Sequence, residues 1–417
     1  MKTLSEYRKY WFSIILALTL MLPAVISVAI NLSSDPFEIF TQDSEASPAF
    51  LGGRGQDRYQ HAGVIRQYQP RSVIIGHSHA ANFLPTSVES TLNWKEVYSL
   101  TLDGGPPYEH NQIIEFALKN SALENVLWLF EPQNLAAAPT FTNPKMPFPE
   151  YLYDTSRMND LTLFATLPKE FAKYVSLKDE KRTSITQEIE LSGRTVDPRD
   201  RSTSWYHSEI SRFNRPNEVA KLILGKSMKT FEKVTNPGAM WELNEEKIDR
   251  LVISDLINFD SNIDRNFLSP VLKHPEVNFT FIALPPFPTL FWKTRKLTRE
   301  SGYKQDLAYI RAFVKKVAPY KNVEVYGFGT DMFTNDLRLY KDNKHYHIAV
   351  NEFMLNAISQ KTNKLTTENI DEYLVEFDGA INTYSLPKKS YPKKQVRKNR
   401  KELNIAEATT IIASYKN

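Results

Sequence analysis

The chain has 417 residues, 41% hydrophobic and 24% charged, with 24 prolines and a net charge of +4. These proportions exclude a polytopic membrane protein and a wholly disordered chain, and the absence of cysteine excludes disulfides, thiolate metal sites and a cysteine nucleophile. From Leu386 onward nine basic residues stand against two acidic ones, so this tail carries +7 and the first 385 residues −3, a distribution that speaks against a nucleic-acid-binding body.

Residues 1–10 form a short basic N-terminus, followed by an apolar run that we place at 11–32. Between Lys9 and Asp35 there are 25 residues without a charge, enough for a helix to cross a bilayer. Lys2, Arg8 and Lys9 precede the run and Asp35 and Glu38 follow it, so the positive-inside rule predicts a cytoplasmic N-terminus and an exported remainder, the topology of a bacterial inner-membrane protein with a periplasmic bulk. Tyr10 and Trp11 suit the interface. A cleaved signal peptide ending near Ala29 is the rival reading, but the apolar region is longer than the usual ~7–15 residues of such signals.

The rest, 33–385, reads as one exported domain. Residues 35–70 look like a polar, turn-rich lead-in containing Gly52, Gly53 and Gly55. Short apolar runs at 72–76, 96–100, 125–130, 277–284 and 322–326 predict five buried strands. Between them, apolar spacings of three and four predict helices over 108–119, 242–259, 263–272, 305–317 and 348–359. The alternation predicts an α/β domain whose mostly parallel five-stranded sheet is covered on both sides. The stretch 139–241 breaks this rhythm and reads as an insertion, either a wall beside the ligand site or a surface excursion. The tail, 386–417, is expected to be a disordered basic segment, or one drawn to anionic headgroups or an anionic polysaccharide.

Two elements carry chemistry. Gly76-His77-Ser78-His79 ends the first predicted strand, where an open α/β sheet exposes side chains to ligands. Asp342 and His345 lie just before the last apolar helix, and their spacing lets the carboxylate take one imidazole nitrogen while the other faces a serine. The plainer alternatives are a helix-capping Ser78, a surface His345, and a turn role for Gly104 and Gly105. A metal alternative joins His77, His79, His345, His347 and Asp342 as zinc ligands; we favour no metal.

On these residues the sequence resembles the SGNH (GDSL-like) hydrolase and acyltransferase superfamily, over roughly 71–360. Ser78 matches its Gly-x-Ser element, and Asp342 and His345 match its Asp-x-x-His element. It is most similar to the single-anchor exported branch linked to cell-envelope polymer acylation, which includes the D-alanyl transfer protein of teichoic acid synthesis. Trp128 to Asn134 and Ala283 to Pro286 resemble that branch's third strand and its strand ending in two prolines.

The resemblance implies a three-layer α/β/α flavodoxin-like fold, a Ser-His-Asp triad, no cofactor, and esterase or O-acyltransferase activity on a cell-surface polysaccharide. A membrane-bound O-acyltransferase partner and a non-catalytic scaffold role in polysaccharide assembly are further expectations it raises. The family's Gly-Asn-Asp element is absent. In its place we nominate Gly104 and Gly105, with Gln133 or Asn134, for the oxyanion, and assign His77 and His79 to the pocket or to a polar substrate.

Overall fold

The β-branched and aromatic residues that mark the apolar runs pair in one sheet. The computed structural model describes residues 4–41, 56–165, 199, 210–224, 257–385 and 403–415. Strands β1 (Ser72–Gly76), β2 (Val97–Ser99), β3 (Asn125–Leu129), β4 (Asn278–Leu284), β5 (Val323–Gly327) and β6 (Lys364–Leu365) form a six-stranded sheet in the order β2-β1-β3-β4-β5-β6. The first five are parallel and β6 is antiparallel to β5. The expected sheet therefore gains a sixth strand, two residues long and too short for a periodic signal.

Alternate strand residues enter two separate apolar clusters, one on each face. Val73, Ile75, Val126, Trp128, Phe279 and Phe281 face the first cluster, whereas Ile74, Leu127, Leu129, Ile282 and Tyr326 face the second. Helices α2 (Asp57–Tyr68), α4 (Pro107–Asn120), α6 (Glu300–Val317) and α8 (Ile370–Thr383) supply the first, and α3 (Pro85–Leu92), α7 (Ile348–Ser359) and α9 (Ile405–Ala413) the second. A further helix, α5 (Thr289–Thr298), follows β4 and buries Trp292 in the first cluster. There the Trp128 and Phe267 rings stack at 4.6 Å and Phe130 meets Phe313 edge-on at 4.8 Å. Each fully buried aromatic or aliphatic side chain of this kind contributes about 1.5–3 kcal/mol.

Four expectations change. The lead-in 35–70 contains helix α2 and places Phe37 and Ile39 in the core; α2 escapes a periodicity search because Asp57, Arg58, Gln60 and His61 lie on its buried positions. The stretch 263–272 opens as a π-helix, Ile263–Leu268, before the α-turn Ser269–Lys273; Pro270, which has no N–H to donate, suits a widened turn. Within the insertion, 139–165 packs onto the first face through Leu152, Tyr153 and Phe164, and Phe213, Val219 and Ile223 pack onto the second. Arg199 pairs with Glu89, while 166–198, 200–209 and 225–241 of the insertion, and 242–256 of the helix expected over 242–259, lie outside the described residues.

The last difference is in the tail. Of 386–417, the end is helix α9, capped by reciprocal hydrogen bonds between Asn404 and Glu407 and buried through Leu403, Ala408 and Ile412. The basic run at 388–401 lies outside the described residues.

Helix α1 (Leu4–Ser34) continues through Pro23. Its stretch Tyr10–Ser34 is long and apolar enough to cross a membrane, and side chains such as Phe12 and Met21 are exposed. At its base the Asn31 amide donates to the Phe164 carbonyl, 2.8 Å, and the Asp35 carboxylate accepts from the backbone N–H groups of Ile39, Phe40 and Thr41.

One backbone position governs how β1 meets the site. Gly76 has φ +153°, and a Cβ there would lie 2.4 Å from the Leu129 carbonyl oxygen of the neighbouring strand. Gly76→Ala is expected to destabilise the domain by about 2 kcal/mol or more, read as a lowered midpoint in chemical denaturation.

Candidate active site

Because β1 lies between β2 and β3, the chain leaves it in one direction and returns on the other side, and the C-terminal ends of strands at such a switch are where open α/β sheets bind ligands. Ser78 sits there on a turn closed by the Ala80 N–H to the His77 carbonyl, 2.8 Å. It does not cap a helix: α3 starts at Pro85, with Leu84 at its cap position.

The other half of the site is the loop after β5. Tyr340 and Tyr346 pair as an antiparallel bridge, and the Lys341 N–H donates to the His345 carbonyl, 3.1 Å. Both tyrosines are buried, and the Tyr340 hydroxyl donates to the Pro286 carbonyl, 2.7 Å. Inside this turn Asp342 Oδ1 accepts the backbone N–H groups of Lys344 and His345, each at 2.9 Å. The carboxylate thus folds the turn that carries its own partner.

These two elements bring Ser78, His345 and Asp342 together. His345 Nδ1 lies 2.8 Å from Asp342 Oδ2, and His345 Nε2 lies 2.7 Å from Ser78 Oγ. An ionised carboxylate only accepts, so Nδ1 carries the proton and Nε2 is left to accept from the serine hydroxyl. Burial pushes the Asp342 carboxyl up, but the His345 ring and the two backbone N–H groups outweigh it and hold the group down to about 2.

Beneath the serine turn lies a group of neutral histidines. His77 accepts from the Asn134 amide, 3.0 Å, and burial lowers its pKa to about 4. His79 is 1% exposed and its pKa falls well below the usual value, chiefly through burial. Its ring packs against Phe287, His345 and Tyr346. His77 also meets His110, which accepts from the Trp128 indole N–H, 3.3 Å. His77 and His79 therefore form the floor of the site, and burial closes them to substrate, correcting that part of their assignment.

The nominated oxyanion residues fall differently. Asn134 reaches the site through His77, whereas Gln133 is exposed and its amide turns to the Glu131 carboxylate. Gly104 has φ +57°, and the Gly105 N–H donates to the Leu102 carbonyl at 3.2 Å. That N–H is spent on the turn, which removes Gly105 from the expected donors. The turn is held from below by the buried Arg58, whose guanidinium binds Glu109 and Asp57 and donates to the Asp103 carbonyl.

His347 leaves the zinc alternative. One ring nitrogen accepts the Ala349 N–H at the start of α7 and the other donates to the Leu403 carbonyl, 3.1 Å, so the residue ties α9 to the site loop. Among the described residues no group of three or more histidine, aspartate or glutamate side chains is arranged to hold a metal ion.

Sequence reasoning missed the ion pair between Lys344 and Glu131 and the Arg58 network. Both members of the first pair lie inside the segments that carry the resemblance, but nothing in the spacing joins them. No family model, curated protein or solved structure matches the chain.

The depressed Asp342 carboxyl has a consequence for stability. Its folded value lies below the ordinary 3.8, so its contribution is present at pH above about 4 and is lost as the pH falls toward 2. Denaturation of the wild type and Asp342→Asn is expected to show a stability gap at pH 7 that closes between about pH 4 and pH 2.

Proposed function

We propose that the chain is a membrane-anchored SGNH-type serine esterase or O-acyltransferase that removes or transfers an acyl group, acetyl foremost, on a cell-surface polysaccharide. The observation that carries this reading is the hydrogen-bonded series Ser78 Oγ, His345 Nε2, His345 Nδ1, Asp342 in the loops that follow β1 and β5 of a mostly parallel sheet. The resemblance of both elements to the SGNH superfamily, and a strand order compatible with its flavodoxin-like core, support it.

In this reading Ser78 Oγ attacks the ester carbonyl carbon as its proton passes to His345 Nε2. Asp342 holds the imidazole's tautomer and balances the imidazolium that forms. Collapse of the tetrahedral intermediate expels the alcohol, which takes the proton from His345 and leaves Ser78 acylated. A water molecule or an acceptor hydroxyl then gives its proton to His345 and attacks the acyl carbon; as this second tetrahedral intermediate collapses, Ser78 Oγ leaves and takes that proton back from His345 Nε2, releasing free acid or a new ester.

The apolar helix α1 keeps this chemistry at the membrane. The basic residues before it support, by the positive-inside rule, a reading in which the domain faces the outer, periplasmic side of the bacterial inner membrane. Anchoring there suits acyl transfer from a membrane-bound O-acyltransferase to a polysaccharide leaving the cell.

Ser78→Ala is expected to lower hydrolysis of 4-nitrophenyl acetate by about 10³-fold or more, and Asp342→Asn by about 10²–10⁴-fold. Unchanged hydrolysis in Ser78→Ala would remove Ser78 from the mechanism and favour a scaffold role. Deleting residues 1–30, which keeps Asn31 and Asp35, is expected to move the protein from the membrane to the soluble fraction with its esterase activity retained.

A further inference from the structure

Glu131 follows β3, and Lys344 sits between Asp342 and His345 on the site loop. Their side chains form an ion pair in which Glu131 is 12% and Lys344 23% exposed. The ammonium also lies over the rings of Phe287 and Phe291, at 5.4 and 5.8 Å. On its other side Glu131 Oε1 stands 3.9 Å from His79 Nδ1, and the His79 ring meets His345 edge-on with centroids 6.3 Å apart. The acyl-transfer steps above use neither charge.

The difficulty this pair addresses is electrostatic. His345 must accept a proton from Ser78, yet its chain neighbour is an ammonium group, and in a partly buried site an uncompensated cation opposes a second positive charge. Among the described residues, the charged and titratable groups around the imidazole include Asp342, Lys341, Lys344 and Tyr346 on its own loop, Ser78 and the neutral His79 after β1, and Glu131 after β3. Buried Asp306 of α6 is bound by Arg295 and also feels the charges of Lys344 and Glu131. After β4 the wall is Phe287, which carries no charge.

We propose that Glu131 is a positioning residue for the reaction: it neutralises Lys344 and fastens the Asp342–His345 turn to the end of β3. The inference rests on the reading of Ser78, His345 and Asp342 as a triad. It deepens that reading by assigning a fourth and a fifth residue that act through the histidine and touch no reacting atom.

The test is the pH–rate profile of ester hydrolysis by the full-length protein in detergent, with the titration of its ¹³C-labelled imidazoles followed by NMR. Glu131→Gln leaves Lys344 uncompensated and is expected to move the acid limb of kcat to lower pH by about 0.5–1 unit, with kcat reduced about threefold to tenfold and KM unchanged. Lys344→Met keeps the stem over the phenylalanine rings, leaves Glu131 without a cationic partner, and is expected to move the limb the opposite way. The double variant is expected to return it to the wild-type position, a non-additivity that a simple loss of packing would not produce.

Limbs that stay in place, or that move in the same direction in both single variants, would overturn the proposal while leaving the triad intact. If wild-type protein shows no Ser78-dependent hydrolysis but the imidazole titration moves in opposite directions, the enzyme reading fails and the coupling of Glu131 and Lys344 to His345 stands.

Discussion

The Asp342 carboxylate performs two tasks at once, and the site depends on their coincidence. One oxygen receives the two backbone N–H groups that fold the 340–346 turn, and the other takes the His345 ring. Turn and imidazole therefore share one anchor, and the residue that folds the loop also orients the ring. The buried Tyr340–Tyr346 bridge fixes that loop on the protein, and β1 brings Ser78 up to it. A serine 267 residues away in sequence meets this histidine at hydrogen-bonding distance because both belong to rigid parts of one sheet edge.

In the proposed reaction, the surroundings leave few charges to compete with an imidazolium at His345. Histidines 77, 79 and 110 line the floor, and burial holds all three neutral. The Lys344 ammonium beside His345 is paired with Glu131 and rests on two aromatic faces. A buried arginine supports the neighbouring turn only because Glu109, Asp57 and the Asp103 carbonyl all receive it. An unpaired guanidinium in that place would be strongly destabilising.

The two ends of the chain are tied to the domain by the same kind of contact. Asn31 and Asp35 join the base of the apolar helix to the first face of the sheet, whereas His347 joins α9 to the loop that carries His345. An end that reads as a charged tail thus finishes as a packed helix. The signal was present in Asn404 and Glu407, three apart before the apolar Ala408 and Ile412, but the basic run ahead of them masked it.

The sequence by itself determined the elements whose physics is local. Twenty-five uncharged and mostly apolar residues suffice for a membrane-length helix, and runs such as Val73-Ile74-Ile75 and Val126-Leu127-Trp128 favour burial on both faces of a strand. A glycine before His77 marked the turn that carries Ser78, and an aspartate three residues before His345 marked a possible partner. Only the tertiary structure decided which of these meet. It separated His347 from His345, closed His77 and His79 to substrate, consumed the Gly105 N–H in a turn and joined Glu131 to Lys344. Burial and hydrogen-bond pairing are properties of neighbours in space. Helix α2, with Arg58 and His61 on its buried side, shows how far those neighbours depart from what composition along the chain announces.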